Sequence, residues 1–250
     1  MARPNRRLRS KRLLQPVKLP KPARPTTRSD SAKLARAIDL FVDYQAAAGA
    51  WVTTAGVLAH SPALGSLELS FPLAPEKLST LVGDCLQNLR SALDHEVHRQ
   101  AAAVKGRGWS GLEQTQFPVH SDAKSFPSVR RNALGGLLPG VADAVEALQP
   151  FVVPVDPLAL VLDLLHLAAR IDRHRLLHVA AAQPQAHGPY RLRPELGAVE
   201  GKLVVRLEFI DFVEPRLMNL DVHAFLQSAI AAVDATILRM VEAERAATAT

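Results

Sequence analysis

The sequence predicts a mainly α-helical bundle with a small antiparallel β-sheet or hairpin packed on its edge, an α+β arrangement. Three observations carry this. Aromatic residues make up 5% of a 250-residue chain that is 48% hydrophobic, whereas sheets are usually richer in aromatic and β-branched side chains. Several long stretches repeat apolar residues at the helical spacing. Two short stretches alternate with the period of a strand.

The chain is expected to divide into a basic, Arg- and Pro-rich arm over 1–30 and a helical-bundle domain over 31–247. The formal charge of +6 conceals this division. Residues 1–29 hold ten Lys and Arg and no acid, which leaves twenty Lys and Arg against twenty-four Asp and Glu in the remainder. Such an arm cannot bury enough apolar surface to offset its ordering entropy, so it is expected to be disordered. Its charge would attract phosphate at long range, though it has no aromatic on which a base could stack.

Within the domain, Asp30 or Ser31 can cap a first helix running to about Ala48, with Gly49 placed to end it. Leu34, Ile38, Leu40, Phe41 and Tyr44 form its apolar stripe. Residues 50–65 are ambiguous, and Ser66–Phe71 alternates as a short strand closed by Pro72. A long helix follows from about Pro75 to Val104 and ends at Lys105-Gly106-Arg107-Gly108. The loop beyond it, with Phe117-Pro118, Phe126-Pro127 and Gly135-Gly136, is expected to lie over the body as a flap. A short helix spans Val141–Leu148. A second long helix starts at Pro157, a favoured first-turn position, and runs to about Ala182. Tyr190–Arg193 and Lys202–Phe212 read as strands, and a last helix covers Asp221–Ala246 with Asp221 as its cap.

The lone Cys85 excludes an internal disulfide and any zinc site of several thiolates. It falls in a helix, where a buried small hydrophobe is the expected role. No uninterrupted apolar run reaches the roughly 18 residues that span a bilayer, and no hydrophobic stretch follows the basic start. The expectation is a cytoplasmic protein without a membrane partner.

The chemistry-bearing residues gather on the two long helices. On the first, Val82, Leu86, Leu89, Leu93 and Val97 share one face at about 100° per residue. Opposite them Asp84, Asn88, Ser91 and His95 form a ridge of short polar side chains, where a solvated face normally carries Lys and Glu. Arg90 and Asp94 stand one turn apart at the border. The second long helix carries Asp163, His166, Arg170, Asp172, Arg173, His174, Arg175 and His178. Asp172 and Arg175 project toward its apolar side, where buried charges need partners. The expected pairings are Asp172 with an arginine of the first long helix, and Arg175 with Asp94. A metal ion held by Asp94, His98, His174 and His178 is a competing arrangement, but no His-Glu-x-x-His string occurs, and neither metal nor cofactor is expected.

The string Gly83-Asp84 through Asn88-Leu89-Arg90-Ser91-Ala92-Leu93-Asp94-His95, with Phe117-Pro118, Leu148-Gln149-Pro150 and Ile171-Asp172-Arg173-His174-Arg175, resembles a widespread group of bacterial proteins that carries no known activity. Arg90-Ser91-Ala92-Leu93-Asp94-His95 further resembles the Arg-x4–6-His motif of the HEPN superfamily. Those domains are helical bundles, often dimeric, and many are metal-independent ribonucleases. The resemblance implies an RNA or nucleotide partner and a homodimer. It implies Arg90 on the scissile phosphate and His95 as acid or base at the ribose 2′-hydroxyl. Asn88 and Asp94 would assist, and Asp84, Asp172, His174 and Arg175 would support them. The alternative reading is a non-catalytic interaction or regulatory domain whose buried Arg, Asp and His network is structural. Arg90 and His95 leave a continuous helix about 140° apart, so convergence needs a helix irregularity or a two-fold interface.

Overall fold

The computed structural model describes residues 32–61, 66–174, 177, 179–181, 185–193, 198–204, 206–210 and 214–249. The 1–30 arm, Ser31, Arg175 and His178 lie outside them. Six α-helices are described: α1 (Ala32–Ala55), α2 (Glu76–Lys105), α3 (Phe126–Leu134), α4 (Pro139–Glu146), α5 (Pro157–His174) and α6 (Val222–Thr248). With them go β1 (Val57–Ser61), β2 (Ser66–Ser70), β3 (Val179–Ala181), β4 (Gln185–Arg193), β5 (Ala198–Val204) and β6 (Leu207–Phe209).

The bundle is built around α2, which packs against α1, α5 and α6. Its apolar face fell where the helical spacing put it: Val82, Leu86, Leu89, Leu93 and Val97 are all fully buried. Cys85 is buried on the same helix, and its thiol donates to the Ala37 carbonyl of α1 at 3.3 Å. Helix α6 reaches α1, α2, α4 and α5. It opens as expected at Asp221, whose carboxylate accepts the Ala224 N–H at 2.8 Å, satisfying one of the free donors of the first turn.

Among the described residues the β component is three antiparallel ribbons: β1 with β2, β3 with β6, and β4 with β5. Val57 faces Ser70 and Ser61 faces Ser66 in the first; Val179 faces Phe209 in the second. In the third the register shifts between His187 and Arg191.

Several boundaries depart from the sequence reading. Helix α1 passes through Gly49 to Ala55, because Trp51 continues the apolar stripe and packs on Phe71 with ring centroids 5.5 Å apart. That burial outweighs the roughly 1 kcal/mol cost of an interior glycine. The ambiguous stretch after it supplies β1, the partner of β2. The expected flap contains helix α3, with proline in its first turn. Arg130 of α3 is bound there by Asp143 and Glu146 of α4. Helix α5 stops at His174 rather than Ala182, and Val179–Ala181 instead pairs with β6. Counting unbroken runs also understated α6. One 18-residue window of it has mean hydropathy 1.4 with no more than two charges, long and apolar enough by composition to cross a bilayer. Half of that window is buried against the other helices.

Candidate functional site

The conspicuous polar arrangement sits where α2, α5 and the segment after the Leu112–Gln114 turn meet. Arg90 is 7% exposed. Its guanidinium Nη2 lies 3.0 Å from Asp94 Oδ1 and donates to the Phe117 carbonyl at 2.5 Å. Asp94 Oδ1 in turn accepts the Phe117 N–H at 2.9 Å. One ion pair therefore satisfies both backbone polar groups of a single residue. A second holder acts just beyond it. Gln149, 1% exposed at the end of α4, accepts the His120 N–H and donates to the Pro118 carbonyl, both at 3.0 Å. Among the described residues Phe117–His120 is thus a strap with no strand neighbour, its backbone held by the side chains of Arg90, Asp94 and Gln149. The Phe117 ring is fully buried beneath it.

Burial dominates the electrostatics of this pair. It pulls the Arg90 guanidinium below its ordinary value, against the attraction of Asp94 and with the repulsion of Arg173. It raises the Asp94 carboxyl, against Arg90, the Phe117 N–H, His95 and Arg173. Each partner gives up hydration, and the closed geometry with its extra hydrogen bonds compensates for that loss.

The second contact of α2 with α5 lies nearer the start of α2. Asp172 occupies the space beside Gly83, so close that a Cβ there would collide with its carboxylate. Gln87 Nε2 donates to the Ala169 carbonyl at 2.5 Å and reaches Asp172 Oδ2 at 3.4 Å. The Asp172 carboxyl is raised, first by burial and then by Asp84; Gln87 and the Leu177 N–H oppose this. The expected partner of Asp172 was an arginine of this helix. Gln87 takes that place, because the short Asp172 side chain meets the helix at Gly83, one turn before Gln87 and about two turns before Arg90. Asp94 is likewise held by Arg90 of its own helix, and its expected partner Arg175 is outside the described residues.

The remaining residues expected at a site are placed apart from this pair. His95 is exposed on the ridge with Asp84. Asn88 donates to the Asp84 carbonyl at 2.8 Å and so is spent on its own helix. His174 closes α5, with its side chain outside the described residues. Arg90 points inward to Phe117 while His95 points to solvent, and the helix is continuous between them. Among the described residues no group of three or more His, Cys, Asp and Glu is placed to hold a metal ion.

One histidine stands out that sequence reasoning had placed only on a helix face. His166 of α5 is half-buried, and its Nδ1 is inaccessible and makes no hydrogen bond. Its pKa is lowered to about 4 by burial, then by Arg90, Arg170 and Arg173, with Asp163 opposing. Arg90 Nη1 is also buried without a hydrogen bond. Gln87 and Gln149 were not anticipated as holders; a neutral amide gives no charge signal, and only the three-dimensional contacts reveal its role.

No protein-family model, no curated protein and no solved structure matches this chain. The HEPN resemblance accordingly rests on the quoted residues alone.

Proposed function

We propose that this chain is a non-catalytic helical interaction domain in which Arg90 and Asp94 fasten the Phe117 strap to the bundle. The observation that supports this reading is the double engagement of Phe117, with its carbonyl on Arg90 and its N–H on Asp94. Arg90 Nη2 is spent on a backbone carbonyl and a carboxylate, and the buried guanidinium lies on a different face from exposed His95, so the two are poorly placed to grip one scissile phosphate. His95, on another face of the same helix, has no shared atom with Arg90 to act upon. The ribonuclease reading would require both groups to meet at one ribose phosphate.

The test uses the full chain with end-labelled RNA and EDTA. The expected result is no cleavage above a protein-free control, together with a lowered melting temperature for Arg90→Ala. Cleavage by the parent chain that His95→Ala abolishes would overturn the reading in favour of a metal-independent ribonuclease.

A further inference from the structure

We propose that the seam between α2 and α5, beside the Phe117 clamp, binds a phosphate-class oxyanion, with Arg90 Nη1 and His166 Nδ1 at its floor and Arg170 and Arg173 at its mouth. This rests on the reading that the domain binds rather than cleaves. The first argument is the pair of buried nitrogens. Arg90 is more than nine-tenths buried, yet its Nη1 meets no acceptor among the described residues; His166 Nδ1, on the helix packed against α2 and within range of the Arg90 charge, meets no partner there either. Buried polar nitrogens are almost always hydrogen-bonded, since one left without a partner has given up its hydration for nothing. Two such atoms on facing helices are a feature that internal packing does not explain.

The second argument is charge. Arg90, Arg170 and Arg173 are all near enough to His166 to repel its proton, and Arg173 repels the Arg90 charge as well. Arg170 and Arg173 are exposed and have no hydrogen bond or ion pair among the described residues. Of the carboxylates in reach, Asp94 is held by Arg90 and Phe117, and Asp163 is held by Arg216 at 2.9 Å. Among the described residues the seam therefore gathers more positive charge than it neutralises. An oxyanion supplies what it lacks: negative charge for the outer guanidiniums and lone pairs for the inner N–H groups. Neutral His166 donates from Nδ1 in one of its two tautomers. The long, exposed side chains of Arg170 and Arg173 can swing to admit the anion and then close on it.

The experiment is calorimetric titration of the full chain with sodium phosphate at fixed ionic strength, repeated with adenosine 5′-monophosphate. The expected result is saturable one-to-one binding, weakened at least tenfold in Arg173→Gln and in His166→Phe. Arg173 is exposed, so its variant keeps the fold even if the buried substitution does not, and circular dichroism checks both. Tighter binding of the monophosphate places the phosphate on a nucleotide; equal binding makes the free anion the ligand. No heat from either probe, or equal affinity in the parent chain and Arg173→Gln, overturns the site. Cleavage of RNA would sink the non-catalytic reading and leave this titration to be judged separately.

Discussion

The Asp172 carboxylate fills the notch that Gly83 leaves in α2. This contact lets α5 approach closely enough for Gln87 to reach the Ala169 carbonyl. Adding a methyl at Gly83 would push Asp172 away from Gln87 and the Leu177 N–H. The helical preference for alanine opposes the loss by about 1 kcal/mol, but overpacking of this kind costs about 1–3 kcal/mol. Gly83→Ala is expected to destabilise the chain in urea. Gly83→Ala combined with Asp172→Ala should cost less than the sum of the two single changes; strict additivity would show that the two residues do not press on each other.

Removing Arg90 leaves the partly buried Asp94 without its counter-ion and the Phe117 carbonyl without its donor. Arg90→Ala is expected to destabilise by about 1–3 kcal/mol, the range for stranding buried hydrogen-bonding groups, since water still reaches part of Asp94. Arg90→Lys should recover only part of this, because an ammonium cannot serve the carboxylate and carbonyl with the same fork. Equal stability of the Lys variant and the parent chain, measured by chemical denaturation, would contradict the clamp.

Gln149→Leu removes the acceptor of the His120 N–H and the donor to Pro118 and Val145 carbonyls. A loss of about 1–3 kcal/mol is expected for the stranded buried groups. Limited proteolysis should then cut between residues 115 and 125 faster than in the parent chain. An unchanged cleavage pattern would show that the strap has other fastenings.

The long helices were legible because each carries a strong apolar stripe, and α2 and α5 begin where the prolines at 75 and 157 place them, whereas α3 lies in a stretch that reads as a flap. The strands were less so. β3 is three residues of Val-Ala-Ala that continue the helical composition of α5, and only pairing with Leu207–Phe209 decides their state. Local propensity is a weak prior that such tertiary contacts override. At the candidate site the sequence set Arg90 and Asp94 one turn apart but assigned Asp94 to Arg175, whereas Arg90 holds it. It could not show that their joint object is a backbone segment 23 and 27 residues away, because a peptide group carries no side-chain signature.

Acid should weaken the fold through His166. Its proton affinity in the bundle, near pH 4, lies below the ordinary value of about 6.5. Between these values the unfolded chain binds more protons, so stability is full above about pH 6.5 and falls toward pH 4. His223, also lowered by burial, acts in the same direction. The raised carboxyls of Asp94 and Asp172 act oppositely as they take up protons. His166→Gln is expected to show a shallower fall between pH 7 and 5 in denaturant titrations. A slope equal to the parent's would remove His166 from the account.

Cys85 offers a simple check on the core. Burial pushes its thiol up to about 12, and it lies under α1. A thiolate is the reactive form, so an aromatic disulfide reagent should label the native chain no faster than the bundle opens, and promptly once guanidinium is added. Rapid labelling without denaturant would mean that α1 does not cover α2.

Because the strap is tied down by Arg90, Asp94 and Gln149 rather than by a ladder of its own, the instructions for its path are written on other helices. It can take its course only after α2 and the end of α4 have docked. In a stepwise loss of structure it would therefore be among the first parts to let go, with the amide hydrogens of Phe117 and His120 exchanging together and ahead of those inside α2.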